Sequence, residues 1–156
     1  MGAGFQLLRV ARWQEGIVSL PGTNLRSVKA ATRAKLTWIG REAGSGARHC
    51  LDQLLEGRPA PRHLARNHRG VAEAIQSGWG DAGVCVQLVS AEARLDFLAV
   101  REEAYDLCFP KSLADDRRFK AFLSVVRSPG YRRLLDQLPG YNSAETGNVW
   151  GVEPPG

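Results

Sequence analysis

The stretch that most constrains this chain is Leu36-Thr37-Trp38-Ile39-Gly40-Arg41-Glu42-Ala43-Gly44-Ser45-Gly46-Ala47-Arg48, which runs on into Leu51, Leu54 and Leu55. Leu36 to Ile39 reads as a short buried strand, Gly44 and Gly46 as a turn, and Cys50 or Leu51 with Leu54 and Leu55 as the apolar face of a helix. Ser45 is a good N-cap, and the two glycines allow the backbone a tight path beside it. A helix that starts this way points free N–H groups and a partial positive charge out of the strand's C-terminal end, where an anion is favoured. Arg41 and Arg48 flank the turn with forked donors suited to a tetrahedral oxyanion or a carboxylate. The alternative is an ordinary strand–helix turn whose arginines are simply solvated.

Size and composition narrow the field. The chain of 156 residues is long enough to bury a real core, and its 44% hydrophobic and 24% charged residues are ordinary for a globular domain. No run approaches the roughly 20 apolar residues of a membrane span, so no membrane partner is expected. The start, Met-Gly-Ala-Gly-Phe-Gln-Leu-Leu-Arg, lacks the basic and apolar regions of a secretory signal. Cys50, Cys85 and Cys108 are odd in number and sit in apolar surroundings, which points to buried reduced thiols and a cytoplasmic protein. The net charge of +5 would permit a polyanionic partner. However, the one loose cluster, Arg58, Arg62, Arg66 and Arg69, contains no aromatic residue to stack on bases, so nucleic acid is disfavoured.

Along the chain, Phe5–Val10 and Gly16–Leu20 read as two strands, and Pro21-Gly22-Thr23-Asn24 as a turn. Leu25–Arg33 suits a short helix, and the helix from Ser45 should end near Gly57. After a proline-broken connector, Asn67 reads as the N-cap of a helix stopping at Gly78. Asp81–Gln87 is an apolar strand with a polar residue at each end, as in the middle of a parallel sheet. Ser90 is expected to cap a short helix to Arg94. Leu95–Val100 and Tyr105–Phe109 read as two further strands parted by Arg101-Glu102-Glu103. Two helices follow, opened by Asp115-Asp116 and by Ser128-Pro129, and the Gly/Pro-rich stretch 142–156 reads as a flexible tail. Alternating strands and helices argue an α/β layered domain.

Four features occur in order: Arg41-Glu42-Ala43-Gly44-Ser45-Gly46-Ala47-Arg48; His68 with Val71-Ala72-Glu73-Ala74-Ile75 and Ser77-Gly78; Asp81-Ala82-Gly83-Val84; and Leu95-Asp96-Phe97 followed by Glu103-Ala104-Tyr105-Asp106-Leu107. Arg127-Ser128-Pro129 and Leu138-Pro139-Gly140-Tyr141 come near the end. Together they resemble the periplasmic-binding-protein-like domain related to molybdate-binding proteins, over about residues 15–141. The resemblance implies one lobe of a type II periplasmic-binding fold: a central, mostly parallel sheet flanked by helices, with hinge strands and C-terminal helices. It places a single truncated domain at 1–141, lacking most of the first lobe.

The resemblance also carries site residues over. Gly44-Ser45-Gly46 and Arg48 match the family's Gly-Ser-Gly-Thr-Arg turn, except that Ala47 stands where threonine is commoner and removes a hydroxyl. His68 matches a histidine at the start of the second helix, which would set two helix beginnings side by side. Its alternative is a helix-start residue bonded to nearby backbone. Gln87 would line the cleft at the end of the central strand, and Tyr105, on the hinge return, would face ligand or pack in the core. The expected ligand-binding set is therefore Arg41, Gly44, Ser45, Gly46, Arg48, His68, Gln87 and Tyr105. The implied role is capture or sensing of an oxyanion such as molybdate or tungstate, without a cofactor or metal. The competing role is an interaction module that homodimerises through the surface left by the missing lobe. Enzymatic activity is not expected, because the adjacent His49-Cys50 pair diverges by about 100° on a helix. No other acid–base constellation is legible.

Overall fold

Two strands of fifteen residues each, β1 (Phe5–Ser19) and β5 (Asp96–Pro110), run through the computed structural model, which describes residues 4–152. Gln14–Arg101 forms one compact unit, and the segments before and after it form another, so β1 and β5 contribute to both.

In the Gln14–Arg101 unit the sheet order is β3-β2-β4-β1-β5, with β2 at Trp38–Arg41, β3 at Leu64–Ala65 and β4 at Ala82–Val86. The run β3-β2-β4 is parallel, pairing Arg41 with Ala65 and Trp38 with Ala82, whereas β1 lies antiparallel to β4 from Glu15↔Val86 to Ser19↔Ala82. All five residues of β4 are buried, which explains its unbroken apolar sequence. The helices are α1 (Val28–Arg33), α2 (Gly46–Leu54), α3 (His68–Gln76) and α4 (Gln87–Glu92). Ala47, Cys50 and Leu51 of α2 pack with Ile17, Trp38, Ala82 and Val84 into one cluster. Burying a side chain such as Leu51 there stabilises the fold by about 1.5–3 kcal/mol.

In the other unit, α5 (Arg117–Val126) and α6 (Pro129–Asp136) follow a 3₁₀ turn at Lys111–Asp115, and β6 (Tyr141–Asn142) and β7 (Val149–Val152) pair antiparallel with the first half of β1. Asp116 accepts from the Arg118 and Phe119 amides, and Ser128 from that of Tyr131 with Pro129 at the first helical position, as their cap residues predict. Leu8, Phe109, Phe119 and Val126 form the buried cluster.

Several expectations need correcting. The two predicted pairs of short strands are two continuous ones, because the polar residues between them find partners across the sheet. Glu15 is fully buried with its Oε2 3.0 Å from Arg101 Nε, Arg12 pairs with Glu102, and Trp13 stacks on Tyr105. Of the stretch 142–156 expected as a flexible tail, 142–152 is ordered, since β6 and β7 bond to β1 and Ser143 and Thr146 are buried, and 153–156 lies outside the described residues. Strand β2 starts two residues late, because Thr37 is clamped by Asp81, whose carboxylate accepts the Thr37 N–H at 2.7 Å while its own N–H donates to the Thr37 carbonyl. Ser90 does not cap a helix. It lies buried inside α4 and donates to the Leu95 carbonyl at 3.0 Å. Cys50 and Cys85 are buried and outside any disulfide, but Cys108 is exposed on β5.

Candidate functional site

Three strand-to-helix transitions line one edge of the parallel run. Chain leaves β2 at Arg41 and enters α2 at Gly46, leaves β3 at Ala65 and enters α3 at His68, and leaves β4 at Val86 and enters α4 at Gln87. Because β2, β3 and β4 are parallel and level in register, all three helix beginnings lie outside the carboxyl ends of the strands. That edge is where open α/β sheets hold ligands.

The first turn is built as its sequence suggests. Gly44 has φ +86°, a backbone shape that costs L side chains, and open space surrounds it, so conformation alone requires glycine there. Ser45 Oγ accepts the Arg48 amide at 3.1 Å and lies 3.2 Å from the Glu42 carbonyl, to which it donates. Gly46 and Ala47, in the first turn of α2, present N–H groups that have no intrahelical acceptor. At α3, Asn67 Oδ1 accepts the Gly70 amide at 2.7 Å, so the second helix is capped in the same manner.

The arginines are not simply solvated. Arg41 is 5% exposed, and its Nε and Nη2 each donate to the Glu42 carboxylate at 3.0 Å. The bidentate bond to Arg41 holds the Glu42 carboxyl down at about 2. Arg41 Nη1 lies 3.3 Å from His68 Nδ1, an arrangement that suits Nδ1 as acceptor. Arg48 donates from Nε to Asp52 at 2.8 and 3.0 Å and from Nη1 to the Arg41 carbonyl at 2.9 Å. Both cations are thus balanced by carboxylates, and the positive character presented at this edge comes chiefly from the helix beginnings.

The expected residues therefore divide. Arg41, Ser45, Arg48 and His68 are joined by direct contacts, with Gly44 and Gly46 in the same turn. Gln87 opens α4 on the same sheet edge, one residue beyond its expected place at the end of a strand. Tyr105 belongs to the other unit, where it is half-exposed and stacks on Trp13 at 5.8 Å. Two residues were missed. Glu42 neutralises Arg41, which the adjacent opposite charges at a strand end could have signalled. Arg101, read as a strand breaker, pairs with Glu15 and also donates to the Gly46 carbonyl at 2.9 Å, steadying the start of α2. Partners 86 and 55 positions away leave no local signal. Burial pushes the Cys85 thiol up to about 12, which leaves it protonated and inert. Among the described residues no group of three or more His, Cys, Asp or Glu side chains could hold a metal ion, and no helix is long and apolar enough to cross a membrane.

The PBP superfamily domain matches residues 1–127. YvgK of Bacillus subtilis (strain 168) is 31% identical over 157 residues, covering 95% of this chain and 50% of the relative, so the chain spans about half that protein's length. Among solved structures, the substrate-binding domain of a putative molybdenum ABC transporter from Clostridium difficile aligns with a TM-score of 0.58 at 16% identity, covering 87% of this chain and 66% of that one. An ABC-type phosphate transport receptor from Vibrio cholerae gives 0.61 at 10% identity, covering 88% and 72%. At such identities the structural likeness speaks for the fold alone.

Proposed function

The chain belongs to the PBP superfamily, and from that premise we propose that it is a non-catalytic module that captures a small oxyanion of the molybdate or tungstate kind. The observation that carries this reading is the row of helix beginnings at the carboxyl edge of β3-β2-β4. Backbone N–H groups at Gly46 and Ala47 donate to the guest, and the aligned peptide dipoles favour its charge. The Arg41–Glu42 and Arg48–Asp52 pairs act as a brace that fixes the turn, with His68 bridging towards α3. Such a site selects a compact anion by fixed donor directions, and occupancy shifts a population between conformations without breaking bonds. The molybdenum- and phosphate-related names of two structural neighbours agree with an anion as guest. Titration calorimetry with molybdate, tungstate, sulfate and phosphate tests the proposal. Saturable binding in the micromolar range is expected, and silence at millimolar ligand from folded protein overturns it.

A second reading rests on a different observation. On α5 and α6, Phe122, Val125, Leu134 and the following Leu138 are exposed, Val125 at 60% and Leu134 at 63%. Apolar surface of this kind is commonly covered by association, and we infer a homodimer through these helices. Light scattering at tens of micromolar should report twice the chain mass, and a monomer there removes the reading. That Cys50, Cys85 and Cys108 form no disulfide supports placing the protein in a reducing compartment, the cytoplasm.

A further inference from the structure

The unit made by the two ends of the chain holds a second concentration of positive charge, and among the described residues no carboxylate pairs with it. Arg127 follows the last turn of α5 and Arg132 lies on α6. Arg127 Nε donates to the Gly147 carbonyl at 2.9 Å, and Arg132 Nη2 donates to the carbonyl of Thr146. Each guanidinium is therefore held by main chain through one nitrogen, with its other N–H groups still to be satisfied. The neighbouring acids are committed elsewhere. Asp136 takes the amide and hydroxyl of Ser143 at 3.0 and 2.7 Å, and Glu145 pairs with Arg9 at 2.6 Å and Arg12 at 2.7 Å. Among the described residues neither Arg127 nor Arg132 has an ion-pair partner.

These two arginines line a cleft of about 700 Å³ together with Gly147, Asn148, Val149 and Trp150. Gly147, at φ +90°, lies so close to Arg127 that a Cβ would stand 2.5 Å from its Cγ, so only glycine lets the arginine stem lie across the turn. The main chain of Asn148 is engaged, its carbonyl accepting from Arg9 N and its N–H donating to the Glu145 carbonyl, and the side-chain amide remains available on an exposed residue. The Arg9 guanidinium sits over the Trp150 ring at 5.0 Å, which holds the indole in place while 36% of the residue stays open.

We propose that this cleft binds the phosphate ester of a planar-ring compound, of which a nucleoside monophosphate is the simplest example. Two forked, uncompensated guanidiniums match a phosphate dianion in charge and geometry. The Asn148 amide adds a neutral donor and acceptor, and Trp150 offers the apolar surface on which a planar ring packs. The cleft lies in a different unit from the strand–helix edge of Ser45.

The test is calorimetry with adenosine monophosphate, inorganic phosphate and adenosine at low and at physiological salt. The nucleotide should bind at least tenfold more tightly than phosphate, adenosine should give no signal at millimolar concentration, and the affinity should fall as salt rises. Arg132→Gln should weaken the nucleotide at least tenfold and Arg132→Lys less. Trp150→Leu should narrow the gap between nucleotide and phosphate. Molybdate titration, which reads the other site, should be the same in Arg132→Gln as in wild type. No nucleotide binding at millimolar concentration by the folded chain, or binding unchanged in Arg132→Gln, overturns the site. Equal affinity for nucleotide and phosphate overturns the planar-ring assignment. Thermal melts of each variant establish that it is folded, and Arg132→Gln is the deciding variant because the Arg127 stem packs on Gly147.

Discussion

Replacing Ser45 by alanine separates two roles that one hydroxyl could play. In the structure Ser45 Oγ is already spent within the turn, accepting from the Arg48 amide at 3.1 Å and donating to the Glu42 carbonyl at 3.2 Å. Its contribution is then that of an N-cap, worth about 1 kcal/mol (range roughly 0.5–2), of which glycine loses only a few tenths. With a urea dependence of about 2 kcal/mol per molar for a domain of this size, Ser45→Ala should lower the unfolding midpoint by about 0.5 M at unchanged slope. Ser45→Gly should move it far less. Because the guest is held by backbone N–H groups, alanine should weaken molybdate by no more than about fivefold, equivalent to about 1 kcal/mol. Asn67→Ala, which uncaps α3, is the control and should cost a similar amount of stability. If Ser45→Ala left the midpoint in place and yet abolished binding, the hydroxyl would be gripping the anion directly, and the assignment of the donors to the helix beginning would be wrong.

Further outcomes follow from the same geometry. Glu42, held near 2 by Arg41, binds its proton less readily in the folded chain than in the unfolded one, so it stabilises the fold above about pH 4.5 and ceases to as pH falls towards 2; Glu42→Gln should flatten that part of an acid-unfolding curve. A thiol reagent at neutral pH should modify Cys108 rapidly and Cys50 and Cys85 only on unfolding, and rapid reaction of all three would contradict the packing of α2 and β4. Leu51→Ala, at a side chain with no exposed surface in the α2 cluster, should destabilise the protein by about 2–5 kcal/mol in urea titration.

The local grammar of this chain was legible without coordinates. Ser45, Asn67, Asp116 and Ser128 all cap the helices that their residue types and the following apolar spacing announce, because a cap is decided within three or four residues. The apolar block that became β4 and the family resemblance were visible for the same reason: each depends on residues near one another in sequence. Long-range pairing decided where the strands run on. Arg12-Trp13-Gln14-Glu15 and Arg101-Glu102-Glu103 are too polar to be predicted as strand interiors, and they become so only because Arg101 meets Glu15 and Arg12 meets Glu102 across roughly ninety residues. The charge state of the site was settled by local pairs, Arg41 with the adjacent Glu42 and Arg48 with Asp52 one helical turn on. Sequence alone placed Arg41 and Arg48 beside the Ser45 turn, but only the folded chain shows that Glu42 and Asp52 have already claimed them, leaving the helix beginning to face a guest. Short-range preferences set where elements start, and the cost of burying unpaired charge sets which of their side chains remain available.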